Sequence, residues 1–213
     1  MMKIIKIVSI LISIAVIIVA GFYGLKYYQH HQPIPADAVN IEYPLKNGKF
    51  LVVQNGRHGK IHTTPLEKYA MDIVKYPTLK SLFQFHQTSL DSDPSFGTPV
   101  YSPCDGIIKR TKQTFPDVSI GINGDSNEAN LVVIGCDGFD LMLVHFKKDS
   151  VLINEGDTVL TGQQIGQIGN SGNSSGPHLH IHAYKTDLQT QERIPLPITF
   201  DGKYFYRGDS FTN

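Results

Sequence analysis

The clearest pattern in the chain is an unbroken apolar run. Ile7 to Leu25 holds nineteen residues and no charge. At about 1.5 Å of rise per residue, a helix of that length matches the roughly 30 Å hydrocarbon layer of a bilayer, which predicts one N-terminal transmembrane helix. The segment Gln32-Pro33-Ile34-Pro35-Ala36-Asp37 follows, and its prolines favour extended backbone and obstruct a continuing helix, which predicts a stalk. From Lys49 onward, brief apolar runs are separated by Gly, Asn, Asp and Pro, and helical periodicity is nearly absent. That rhythm belongs to β-strands and turns. The predicted strands are Phe50 to Gln54, Tyr69 to Val74, Thr98 to Tyr101, Gly106 to Arg110, Leu131 to Gly135, Leu141 to Phe146, Gln164 to Ile168 and His178 to Tyr184. They predict an all-β domain, a two-sheet antiparallel sandwich. Residues 76–93 fit the rhythm poorly and suggest a loop or helical turn, while Asn123 to Asn130 has the polar, turn-rich composition of a hairpin tip. The expected division is a cytoplasmic tip and signal anchor (1–26), a stalk and lead-in (27–48), the main domain (49–190) and a C-terminal extension (191–213).

Composition narrows the picture. In 213 residues, 41% hydrophobic and 18% charged, there is apolar material for one substantial domain plus a short appendage, which excludes disorder throughout. Lys3 and Lys6 precede the apolar run and only Lys26 directly follows it, so the positive-inside bias places the N-terminus in the cytoplasm and the rest outside. Val19-Ala20-Gly21 offers the small residues of a cleavage site, and the competing expectation is a secreted domain after signal removal. Both readings export the domain. Basic and acidic residues number nineteen each, and with Lys3, Lys6 and Lys26 set aside the remainder is three charges negative. A mildly acidic body lacks the basic stripe that neutralises phosphates, which argues against a nucleic-acid partner. The two cysteines, Cys104 and Cys136, are a disulfide candidate in an exported domain, with two buried thiols as the alternative. Their separation is too long for a structural zinc knuckle.

The most informative segment runs from Gly169 to His182: Gly-Asn-Ser-Gly-Asn-Ser-Ser-Gly-Pro-His-Leu-His-Ile-His. It reads as a flexible polar loop feeding a histidine-rich strand. Residues two apart on a strand share a face, so His178, His180 and His182 line one surface and Leu179 and Ile181 enter the other. That surface suits metal binding or proton transfer, and the spacing does not say which ring does which. Upstream, Asp72 stands among Tyr69, Ala70, Met71, Ile73 and Val74, which implies burial. A buried carboxylate needs a cation or several donors, so a divalent metal, an ion pair or backbone donors are all open. His62 lies ten residues earlier. His145 ends the run Leu141-Met142-Leu143-Val144, on the face shared by Leu141 and Leu143, and taken alone reads equally as a core histidine.

Taken together these segments resemble the lysostaphin-type or LytM-like zinc endopeptidases, metallopeptidase family twenty-three, which cut peptidoglycan peptides. Gly97-Thr98-Pro99-Val100-Tyr101-Ser102-Pro103-Cys104-Asp105-Gly106 is similar to the family's strand-turn after the metal aspartate, and Val144-His145-Phe146 to its middle histidine motif. Gly156-Asp157-Thr158-Val159, Gly162-Gln163-Gln164-Ile165-Gly166 and Gly169-Asn170-Ser171-Gly172 resemble its glycine-punctuated hairpins, and Pro177-His178-Leu179-His180 its terminal signature. The resemblance covers roughly residues 50–184. It implies a LytM-like β-fold (duplicated hybrid motif), with His62, Asp72 and His180 holding Zn2+ and with His178 and His145 as the catalytic pair that does not bind metal. Two departures stand out. Many members place the first His and the Asp four residues apart, whereas ten separate them here, with His58 as a rival ligand. His182 exceeds the usual motif.

The resemblance implies a membrane-held zinc endopeptidase hydrolysing stem or cross-bridge peptides of peptidoglycan outside the cytoplasmic membrane, for wall remodelling or lysis. An alternative is a catalytically inactive LytM-like regulator that binds the wall or an amidase partner, and any such regulatory protein is unknown. Lipoyl-type and sugar-permease modules share the Gly-Asp-x-Val and Gly-Gln-x-Ile-Gly hairpins, but they act on cytoplasmic cofactors and have no use for a buried Asp72.

Overall fold

The computed structural model describes residues 2–56, 61–76, 89–122 and 124–213. His58 and residues 77–88 lie outside the described residues, and with them the rival ligand and most of the segment expected as a loop or helical turn. The chain forms two compact units, Met1–Ile34 and Pro35–Asn213. The first is a single helix, α1 (Met2–His30), whose large apolar side chains from Ile7 to Tyr28 are exposed. Its stretch Lys6–Gln29, 24 residues of mean hydropathy 2.6, is about 36 Å long and apolar enough to cross a membrane.

The second unit is all-β. Its strands are β1 (Val39–Ile41), β2 (Lys49–Asn55), β3 (Met71–Lys75), β4 (Pro99–Tyr101), β5 (Gly106–Lys112), β6 (Leu131–Gly135), β7 (Asp140–Val144), β8 (Thr158–Val159), β9 (Gln164–Gln167), β10 (Leu179–Thr186), β11 (Arg193–Leu196), β12 (Ile198–Phe200) and β13 (Ser210–Thr212). Nine of them make one antiparallel sheet in the order β13-β2-β3-β10-β7-β6-β5-β8, with β11 beside the C-terminal half of β10. Two small sheets complete the fold, antiparallel β4–β9 and parallel β1–β12. The all-β, antiparallel expectation holds, and the sheets are of very unequal size. All eight expected strands are present.

The core explains the order. Leu131-Val132-Val133-Ile134 is buried at every position and β-branched at the last three, as expected of a central strand covered on both faces. Val100 and Ile165 from the small β4–β9 sheet pack into the same apolar cluster as Ile134, Leu143 and Ile181 of the large one. Each such side chain taken fully out of water contributes about 1.5–3 kcal/mol. Cys104 and Cys136 form a disulfide with a Cα–Cα distance of 6.1 Å, closing a span of 32 residues. β13 pairs with β2 and β12 with β1, so residues from both ends of this unit are built into its sheets.

Strand β10 positions the site. Leu179 and Ile181 on one face are buried in the core, while His180 and His182 alternate onto the other. Its register sets His180 opposite Asp72 of β3 on one side and opposite Val144 of β7 on the other.

Candidate metal centre

Asp72 is the hub. Its Oδ1 lies 2.9 Å from Nδ1 of His180, 3.1 Å from Nε2 of His62 and 3.6 Å from Nε2 of His178. The first two are hydrogen bonds and the third is longer than one. His62, Asp72 and His180 are all buried and offer ligand atoms within 4.8 Å of one another. Two imidazoles and a carboxylate converging in this way are a donor set that fits a divalent metal. Such a set leaves a further coordination position open to the cleft.

The ten-residue spacing between His62 and Asp72 is taken up by a short excursion. Thr64 donates its N–H and its hydroxyl to Glu67 Oε2, capping a 3-10 turn over Pro65–Tyr69 that returns the chain to β3. His62 itself has φ 51°, a left-handed conformation uncommon outside glycine. Its Nδ1 is 2.9 Å from the Gly56 carbonyl, and the Gly56 N–H donates to Ala70, which ties the histidine to the end of β2 and the start of β3.

His145 arrives by a different device. Strict alternation would carry it into the core with Leu141 and Leu143. Instead β7 ends at Val144 and His145 takes φ 67°, which turns its ring into the cleft that Met142 and Val144 line. There its Nδ1 is 2.7 Å from the Ser171 carbonyl and its ring centroid 4.6 Å from that of His178. His178, just before β10, has Nδ1 2.8 Å from the Gly176 carbonyl.

The polar loop from Gly169 to Gly176, expected to be flexible, is instead braced and largely buried, with Asn173 and Ser175 exposed. Asn170 and Ser171 are fully buried and Ser174 nearly so. Asn170 donates from its backbone to Asp117 and from its side chain to the Val118 carbonyl, and Ser174 donates to Asn170 Oδ1. Ser171 Oγ accepts from the Asn130 N–H and donates to the Phe146 carbonyl. Gly172, at φ 75°, is where this loop touches Ala129, and an added Cβ would stand 2.6 Å from the Ala129 Cβ. Asn130, placed by the sequence at a hairpin tip, is fully buried and holds Phe115 and Phe146 together through its amide. No sequence pattern marked Asn130 or Gly56 as support for the site, and Ser171 and Gly176 stood out only as members of the polar loop. Their contribution runs largely through main-chain carbonyls and non-local contacts.

Electrostatics sort the rings. Burial pushes the Asp72 carboxyl up, but the hydrogen bonds from His180 and His62 outweigh it and hold the group well below the usual carboxylate range. For His62 burial acts downward, and its bond to Asp72 reverses that and raises the pKa above 6.5. Burial lowers His178 and drives His145 and His182 well down, with neighbouring imidazoles adding to the effect at His145 and His182. The cleft above these rings has a volume of about 570 Å³, with Leu131, Met142 and Val144 on its apolar side and Ser126, Asn173 and Ser175 among its polar lining.

The model of "Peptidase family M23" matches residues 85–192, half of the chain, and the chain belongs to that family. His145, His178 and His180 fall within the match, whereas His62 and Asp72 precede it and are brought to the other three by the fold. The peptidoglycan DD-endopeptidase ShyA of Vibrio cholerae is 30% identical over 108 residues, 46% of this chain and 22% of that protein. An uncharacterized metalloprotease of Haemophilus influenzae is 28% identical over 113 residues, 53% of this chain and 21% of that one. This chain therefore spans about a fifth of the length of the curated relatives it matches. Among solved structures, the catalytic domain of lysostaphin from Staphylococcus simulans aligns with a TM-score of 0.41 at 18% identity, covering 69% of this chain and 86% of that one.

Proposed function

We propose that this protein is a zinc-dependent endopeptidase that hydrolyses peptide bonds in the stem or cross-bridge peptides of peptidoglycan, with its β domain outside the cytoplasmic membrane and α1 as its anchor. The observation that carries the reading is the convergence of His62 Nε2 and His180 Nδ1 on one oxygen of buried Asp72 at the floor of a cleft. His62, Asp72 and His180 are the ligands in this reading. Zinc held there supplies Lewis acidity, which polarises a carbonyl and makes hydroxide available at neutral pH. His178 and His145 handle protons. Each has its Nδ1 engaged by a main-chain carbonyl, which leaves Nε2 as the lone-pair nitrogen toward the cleft. Their lowered pKa values keep both rings neutral at pH 7 and able to accept a proton. His178, 3.6 Å from Asp72 Oδ1, takes the proton of the attacking water and returns it to the leaving amine. His145 lies beside it, and its imidazolium would stabilise the charge developing on the carbonyl oxygen, its Nε2 taking a proton from solvent as that charge grows and returning it to solvent as the charge is lost. The peptidoglycan substrate is carried over from the relative named as a peptidoglycan endopeptidase.

A wall-binding regulator without activity would have no need for this constellation, and all five side chains are present. The test is to incubate the zinc-loaded full chain, in detergent, with purified peptidoglycan and to mass-analyse the soluble products. Fragments cut at a peptide bond, absent with His178→Ala, are expected. A zinc-loaded protein that binds peptidoglycan of several cross-link types and releases nothing overturns the enzyme reading in favour of the regulator.

A further inference from the structure

Three of the imidazoles around Asp72 are oriented alike. His62, His145 and His178 each turn Nδ1 to a main-chain carbonyl, of Gly56, Ser171 and Gly176, at 2.9, 2.7 and 2.8 Å. His180 is reversed. Its Nδ1 faces Asp72, and its Nε2 lies 3.0 Å from Nδ1 of His182. His182 is 5% exposed and sits two residues further along the same face of β10, opposite Met142 of β7. Its remaining nitrogen, Nε2, is buried and has no hydrogen-bond partner among the described residues.

We infer that His182 is a positioning residue for the metal site: in the metal-loaded state it accepts the Nε2–H of His180, so that Nδ1 of His180 gives up its hydrogen bond to Asp72 and offers a lone pair to the metal. The argument is one of counting protons on neutral rings. An imidazole that offers a lone pair at Nδ1 carries its single proton on Nε2, and a buried N–H needs an acceptor. The main chain supplies that acceptor for the other three rings, and His182 Nδ1 supplies it for His180. A neutral His182 that accepts at Nδ1 carries its own proton on Nε2, the atom without a partner. Buried unpaired groups are rare enough in folded proteins to need a reason, and here the chain of hydrogen bonds that begins at Asp72 ends on that atom. Without the acceptor, His180 favours the other tautomer, whose Nδ1–H donates to Asp72 and stands where a metal would bind.

This inference rests on the reading of His62, Asp72 and His180 as metal ligands. The experiment compares His182→Phe and His182→Gln with the unaltered full chain in detergent. It reads zinc affinity by competition with a chromophoric chelator, and ring tautomers from long-range nitrogen–proton spectra of the zinc-loaded protein. Removing the partner of a ligating histidine typically weakens metal binding about 10- to 100-fold, and that loss is expected for His182→Phe. His182→Gln, whose side-chain carbonyl can accept, is expected to recover most of it. In the unaltered protein both His180 and His182 should carry their proton on Nε2. Unchanged zinc affinity in a folded His182→Phe protein overturns the inference, and so does a proton on Nδ1 of His182 in the zinc-loaded state. The tautomer measurement decides alone if His182→Phe does not fold. Full zinc binding by His180→Ala is a separate failure, because it removes the ligand reading itself and does so without involving His182.

Discussion

At Asp72, one carboxylate oxygen has three imidazole nitrogens within 3.6 Å, and the five candidate side chains separate by how each meets it. His180 and His62 touch Asp72 directly, so His180→Ala and Asp72→Asn are expected to lose zinc, measured as metal per chain after dialysis. Full occupancy in either would move the site elsewhere. His178 and His145 act on protons in this reading, so His178→Ala and His145→Ala are expected to keep zinc and to lose about 10²- to 10⁴-fold in turnover. The same rings govern the pH dependence of the metal-free protein. His145, His178 and His182 are held below 6.5 by burial, so the unfolded chain takes up their protons first as the pH falls. Their contribution to stability is present above about pH 6.5 and is lost as the pH drops toward their folded values. His62, raised by its bond to Asp72, opposes them: its contribution is complete below 6.5 and fades as the pH rises through its folded value. Three groups outweigh one, and the melting temperature in chelator is expected to fall steadily from pH 7 to pH 5. A flat or rising profile would contradict the burial of these rings.

Between elements, the decisive contact is the braced loop against the ends of β6 and β7. Asn130 donates from Nδ2 to the Phe115 and Phe146 carbonyls at 2.8 and 3.0 Å and accepts from the Phe115 N–H. Its backbone N–H is received by Ser171 Oγ, and the Ser171 carbonyl holds His145. Asn130→Ala strands several buried groups and is expected to destabilise the domain by about 3 kcal/mol in urea unfolding. Loss of turnover with zinc retained should accompany it, since the ring it disturbs is His145. Little of this was legible in the sequence. The period-two histidines and the buried aspartate were, because both follow from alternation along single strands. The turn of His145 into the cleft was not, because a φ of 67° breaks the alternation on which the sequence reading depends. The loop's polar, glycine-rich composition suggested flexibility, and the hydrogen bonds that brace it come from Asp117 and Asn130, which are distant in sequence. β1, β8, β11, β12 and β13 went unpredicted for a simpler reason: at two to four residues each they are too short to show a period.

Over the whole molecule, two features that share no residues point to the same compartment. Helix α1 is long and apolar enough to cross a membrane, and Phe22, Tyr23, Tyr27 and Tyr28 cluster toward its C-terminal end, with exposures of 59–68%. Aromatic side chains collect at the level of lipid headgroups, and under the proposed function this cluster would lie at the outer interface of the anchor. The disulfide between Cys104 and Cys136 belongs to an oxidising environment. By loop closure it stabilises the domain by about 3–4 kcal/mol, a large share of what a domain of this size has to spare. In cells, both cysteines are therefore expected to resist a thiol-reactive label until a reductant is added. The chain is expected to sediment with membranes, with peptides from residues 7–25 still attached by mass spectrometry. A shorter, soluble chain beginning near Phe22, with the cysteines still protected, would mean that the segment is a cleaved export signal. Labelling without reductant would be the more damaging result, since free thiols at 104 and 136 imply a reducing compartment, where peptidoglycan is out of reach.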